Sequence, residues 1–129
     1  MPYPDLMLFD CPDANSAAVQ RSVSNTPLQA LAVLNSETSL TAARGLARRM
    51  GEVGDAEPLL TWAFRTCLAR PPTAAELARL SAVLDAHRVW YAGHPEDAAV
   101  LAGDLPAEAA PLVATANVIL NLDEFLTRE

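Results

Sequence analysis

Apolar positions recur at helical spacing along most of the chain, in runs separated by short stretches of proline, glycine and small polar residues. The first run is "TPLQALAVLN". Thr26 and Gln29 bracket Pro27 as a T-x-x-Q capping box with proline at the first helical position, which predicts a helix over about 27–35. Beyond Asn35 and Ser36, Leu40, Ala43, Ala47 and Met50 share one stripe and predict a second helix to about Met50, ended by Gly51 and Gly54. Arg44, Arg48 and Arg49 fall on its other faces, largely in solvent. A third helix is expected to be capped by Asp55, to bury Leu60, Phe64, Cys67 and Leu68, to carry Arg65 and Arg70 towards its end, and to stop at Pro71 and Pro72.

The fourth opens with a second capping box, Thr73 to Glu76, and its stripe runs Leu77, Leu80, Leu84, His87 and Tyr91 before Gly93. Pro95 starts one or two turns in "HPEDAAVLAGD", and a last helix from about Ala107 to Leu120 leads into "NLDEFLTRE". Residues 1–24 mix acids and prolines without helical period and read as an irregular arm. The prediction is an all-α fold, one domain over 1–129: an irregular N-terminal arm (1–24) followed by a bundle of about five helices (25–129).

Composition agrees. Of the 129 residues 51% are hydrophobic but only 5% aromatic, which suits packed helices better than a β-sandwich. The length suffices for roughly two-thirds of the unfolded chain's surface to be buried. A formal charge of −7 argues against nucleic acid as a partner, because phosphate binding needs a basic face. All nine basic residues are arginine, which is read as the coding bias of a GC-rich genome.

Candidate chemistry is sparse. Cys11 and Cys67 stand far apart, so no C-x-x-C pair or C-x-x-C-H haem attachment exists in this chain, and the two are expected not to be disulfide-bonded. Neither suits a nucleophile: Cys67 is expected to be buried, and Cys11 has no base nearby in sequence. Asp10, Asp13 and Asn15 offer oxygen ligands, but a calcium loop starting at Asp10 would need glycine and glutamate where Asn15 and Arg21 stand, so an Asx-turn loop is the reading. His87 is expected to be a hydrogen-bonded boundary histidine and His94 a loop residue, with no shared metal. Asn117, Asn121 and Glu124 follow i, i+4, i+7 spacing on an otherwise apolar final helix, with Arg128 one turn on. They either satisfy the backbone of the arm, in which case Asn25 or Gln29 lies close to them, or form a polar docking seam for another domain. The N-terminus lacks a signal-peptide pattern and no apolar run reaches membrane-spanning length, so the chain as written is expected in the cytoplasm.

Three blocks, "FDCPDANSAAVQRSVSNTPLQALAVLNS", "AFRTCLARPPTAAELARL" and "NVILNLDEFLTRE", resemble the planctomycete-specific domain of unknown function (PSD type). That domain ends large multidomain proteins that also carry cytochrome-c-like domains. The resemblance implies an exported parent protein with an upstream haem-bearing module, Met1 as an internal or truncated start, and no established activity for this part. Where family members carry cysteine and paired arginines before the T-P-L-Q-A-L block, this chain has "AAVQRS" and keeps Arg21 alone. The leading expectation is a noncatalytic structural or interaction module without cofactor, whose candidate residues are Arg21, Asn25, Thr26, Gln29, Asn117, Asn121 and Glu124. Its partners are then other domains of the parent protein or a separate protein. The alternatives are a hydrolytic or redox enzyme completed by a missing N-terminal region, with Asp10, Asp13 and Arg21 contributing, and an acidic docking module for a cytochrome partner.

Overall fold

A computed structural model describes residues 31, 32, 34–53 and 58–126, which are helical with short connections and contain no strand. The arm with Arg21, and Asn25, Thr26 and Gln29 at the start of the first expected helix, lie outside the described residues. Residues 31, 32 and 34 are helical, and at Asn35 the side-chain amide donates to Leu31 O at 2.9 Å. Ser36 then caps α1 (Glu37–Glu52), its hydroxyl accepting from Ser39 N at 3.0 Å. Part of the polarity in "SNTPLQALAVLNS" thus ends one helix and starts the next. Gly51 stays helical, and α1 closes one residue later, with Val53 N on Met50 O.

Helix α2 (Leu59–Leu68) begins after Pro58, which occupies the N-cap position in place of the expected Asp55. The reason is steric: a proline inside a helix removes a donor and clashes with the preceding turn, so the entry moves to the proline. Asp55 itself lies outside the described residues. At the other end Ala69 adopts left-handed backbone (φ 57°, ψ 19°) and its N–H closes on Arg65 O, so the helix stops before Pro71 and Pro72 are reached. Helix α3 (Ala74–Gly93) has both halves of its capping box: Glu76 N donates to Thr73 Oγ1 at 3.3 Å and Thr73 N to Glu76 Oε2 at 2.7 Å. Helix α4 (Pro95–Ala102) starts on its proline. The predicted last helix divides into a 3-10 turn (Ala107–Ala109) and α5 (Ala110–Leu120), followed by the short α6 (Asp123–Leu126).

Helix α5 is the axis of the bundle, with α1 and α3 as its main neighbours and α2, α4 and α6 around them. It is apolar nearly all round, as a central helix must be. Its fully buried Val113, Ala116 and Ile119 join Ala43, Ala47 and Met50 of α1, Ala63 and Phe64 of α2, and Leu80 and Leu84 of α3 in one core. Alanines at 43, 47 and 116 keep these helices slim where they pack. A smaller core of Ala98, Ala102 and Ala110 joins α4 to the start of α5.

One expectation is overturned on α1. Arg44 is half-buried rather than solvated: its Nε donates to Leu101 O at 2.9 Å and its Nη2 to Val100 O at 3.0 Å. Carbonyls in the last turn of α4 have no partner within their own helix, and a cation there also meets the negative end of the helix dipole. Arg48 reinforces the grip by binding Asp104, whereas Arg49 stays exposed and lies over Trp62 at 5.4 Å.

Candidate interaction seam

The polar residues of α5 meet α1. Ser39 lies on the same face as Ala43 and Met50 and is buried with them. Its hydroxyl donates to Asn117 Oδ1 at 3.0 Å. Asn117 Nδ2 donates in turn to Leu34 O at 3.3 Å, so the end of the preceding helical segment is tied to the final part of the chain. Asn121, at the C-cap of α5, points its amide nitrogen back to Asn117 O at 2.7 Å and Asn117 Oδ1 at 3.1 Å, with Ser39 Oγ at 3.4 Å. Each such bond contributes around 1 kcal/mol net, and an amide serves well because it donates and accepts. Among the described residues nothing donates to the buried Asn121 Oδ1.

Glu124 does not belong to this stripe. The i, i+7 spacing holds only while the helix continues, and α5 ends at Leu120, so Glu124 rides on α6 and faces elsewhere. It meets Arg70, whose Nε and Nη2 donate to Glu124 Oε1 and Oε2 at 2.8 and 2.6 Å. The same guanidinium reaches Glu76 at 2.7 and 3.0 Å and lies 4.9 Å over the Phe64 ring. Arg70 therefore pins α6 to the capped start of α3. It holds the Glu76 carboxyl down at about 2, helped by Thr73, and lowers that of Glu124. Arg128 lies outside the described residues.

His87 is hydrogen-bonded at the boundary of the core, as its position on the stripe predicts. Its Nδ1 lies 3.1 Å from Thr115 Oγ1, and that hydroxyl gives its only proton to Pro111 O at 2.8 Å. The imidazole must therefore be the donor, with the proton on Nδ1. Burial lowers its pKa. Cys67 is a free, half-buried thiol whose pKa burial raises, the opposite of what a nucleophile needs. Among the described residues no three His, Cys, Asp or Glu side chains converge as a metal site requires. Cys11, Asp10, Asp13 and Asn15 lie outside them.

Sequence reasoning missed Ser39, the Leu34 carbonyl and Arg70. Ser39 had a signal, since it precedes Ala43, Ala47 and Met50 on their own stripe. A backbone carbonyl leaves no trace in residue identity.

Residues 1–84 match the family PSD1, described as a protein of unknown function (DUF1553). The chain belongs to that family. No curated protein and no solved structure matches it. The PSD1 match covers Leu34 and Ser39 but stops within α3, so Asn117 and Asn121, the other half of the seam, lie beyond the matched residues.

Proposed function

We propose that this PSD1 chain is a noncatalytic helical interaction module forming the C-terminal part of a larger protein, of the cytochrome-c-like multidomain planctomycete type that its sequence blocks resemble. Residues 1–129 act as one unit, with the seam of Ser39, Asn117 and Asn121 turned towards the parent protein's other domains. The observation that carries this reading is the buried Asn121 Oδ1. A buried acceptor left unmade costs about 1–3 kcal/mol, and a backbone or side-chain donor from a docked segment removes that cost. Exposed Leu31 and Leu34 beside the seam add apolar area for such a contact. Among the described residues no helix is long and apolar enough to cross a membrane.

The test is to read the genomic frame upstream of Met1, express the protein it encodes, and compare amide hydrogen exchange with that of the 129-residue chain. Exchange at 34–39 and 117–122 is expected to slow by at least about tenfold in the longer protein, equivalent to roughly 1.4 kcal/mol. A frame closed immediately upstream, or unchanged exchange at both segments, overturns the proposal.

A further inference from the structure

A cleft of about 360 Å³ opens where the end of α3, the start of α4 and the 3-10 turn meet, away from the seam. Ala92, Pro95, Ala98, Ala107 and Pro111 make its walls apolar, and Tyr91 adds an aromatic ring. Two charged residues also line it, Arg88 and Glu108, and they are not equivalent. Arg88 is already engaged, since its Nη1 donates to Asp85 Oδ1 at 3.0 Å. Glu108 makes no ion pair or side-chain hydrogen bond with any described residue. The amino end of α4 would ordinarily favour an anion, but its first turn carries Glu96 and Asp97, which cancel that preference. Asp97 lies near enough to help burial raise the pKa of the Tyr91 phenol, so the acidic field extends into the cleft.

We propose that this cleft receives an arginine side chain of a partner protein, its methylene stem against the apolar wall and its guanidinium on the free Glu108 carboxylate. The volume is at the small end of ligand sites and is ample for one long side chain. Arginine fits better than lysine because its planar, weakly hydrated head stacks on aromatic faces and grips a carboxylate with two donors. The chain's charge of −7 draws basic partners to it. The inference does not require the chain to be part of a larger protein, and it is tested without one.

The experiment titrates capped arginine (N-acetyl-arginine methylamide) into isotope-labelled 129-residue chain and follows backbone amide shifts. The capped derivatives of lysine, of citrulline, the neutral isostere of arginine, and of glutamate are compared. Saturable shifts are expected at Tyr91, Ala92, Ala98 and Glu108, with arginine binding at least about threefold tighter than citrulline at low salt and the gap narrowing as salt is raised. Glu108→Gln is expected to abolish that gap, and Ala92→Phe, at an exposed lining position, to block binding. The proposal is overturned if citrulline or glutamate binds as well as arginine, if Glu108→Gln leaves the gap intact, if Ala92→Phe binds unchanged, or if no shift saturates. Lysine binding equal to arginine removes the assignment to arginine.

Discussion

Gly103 is where the fold leaves least room for a side chain, and Gly103→Ala tests the reading of the α1–α4 contact. Its φ is +66° with ψ −110°, a region that residues with a Cβ rarely enter. Forcing alanine there costs of order 1–3 kcal/mol, offset by roughly 0.5–1 kcal/mol because alanine also stiffens the unfolded chain. A second cost comes from Arg44, because the new Cβ would lie 2.8 Å from both its Cζ and its Nε. The guanidinium must then move off the carbonyls of Leu101 and Val100, and the two bonds at this half-exposed site contribute about 1–2 kcal/mol together. The expected total is about 1.5–4 kcal/mol, read as a lower urea midpoint at unchanged slope. A double-mutant cycle separates the two parts. With Arg44→Ala already in place the clash has gone, so Gly103→Ala is expected to cost only the backbone share, about 0.5–2 kcal/mol, leaving a coupling near 1 kcal/mol or more. Additivity within about 0.3 kcal/mol would refute the claim that Gly103 is small because Arg44 occupies its side-chain space.

Three other outcomes are expected. Leu84→Ala, in the core between α3 and α5, should lose about 2–5 kcal/mol from transfer and cavity terms, and a near-neutral urea midpoint would mean that α3 is packed by another face. Ala69→Gly, at the exposed left-handed end of α2, should stabilise by about 0.5–1 kcal/mol; thermal denaturation showing a loss would argue that the turn is not left-handed in solution. The Glu76 carboxyl is depressed to about 2 in the folded chain from an ordinary value of 4.5, so the unfolded chain takes up its proton first as pH falls. Its contribution is complete above pH 4.5 and is lost between there and about 2. Urea midpoints of the parent chain should therefore fall more steeply through this window than those of Glu76→Gln, and parallel curves would remove the Arg70–Glu76 pairing at the start of α3.

Local chemistry made much of the fold legible. The Thr73–Glu76 box, Pro95 and the apolar stripes of α1 and α3 each act within one or two turns, and those elements stand where their residues imply. Asp55 failed as a cap because a nearer proline decides the entry of α2. Arg44 was misplaced because periodicity only says which face an arginine occupies. It does not say that a neighbouring helix ends there with bare carbonyls. Asn117 and Asn121 were readable as a polar stripe with work to do: Asn117 donates across to Leu34 O and Asn121 to Ser39 Oγ, while Asn25 and Gln29, the neighbours expected for them, lie outside the described residues. Glu124 was not, since extending a spacing past a helix end assigns a residue to a face that no longer exists. Its partner Arg70 stands 54 positions earlier in the chain, and a contact of that range leaves no local pattern.

The placement of α5 at the centre of the bundle has a consequence for synthesis. A ribosome releases α1, α2 and α3 first, yet Ala43, Met50, Phe64, Leu80 and Leu84 share a core with Val113, Ala116 and Ile119, which emerge last. At about 5–20 residues per second the interval between Gly93, the end of α3, and Leu120 lasts roughly one to five seconds, during which three helices with core-forming residues are out while their shared partner is incomplete. The nascent chain is therefore most open to chaperones, proteases and sister chains during that interval. Closure comes in one late step, when α5 enters between α1 and α3 and Glu124 reaches Arg70.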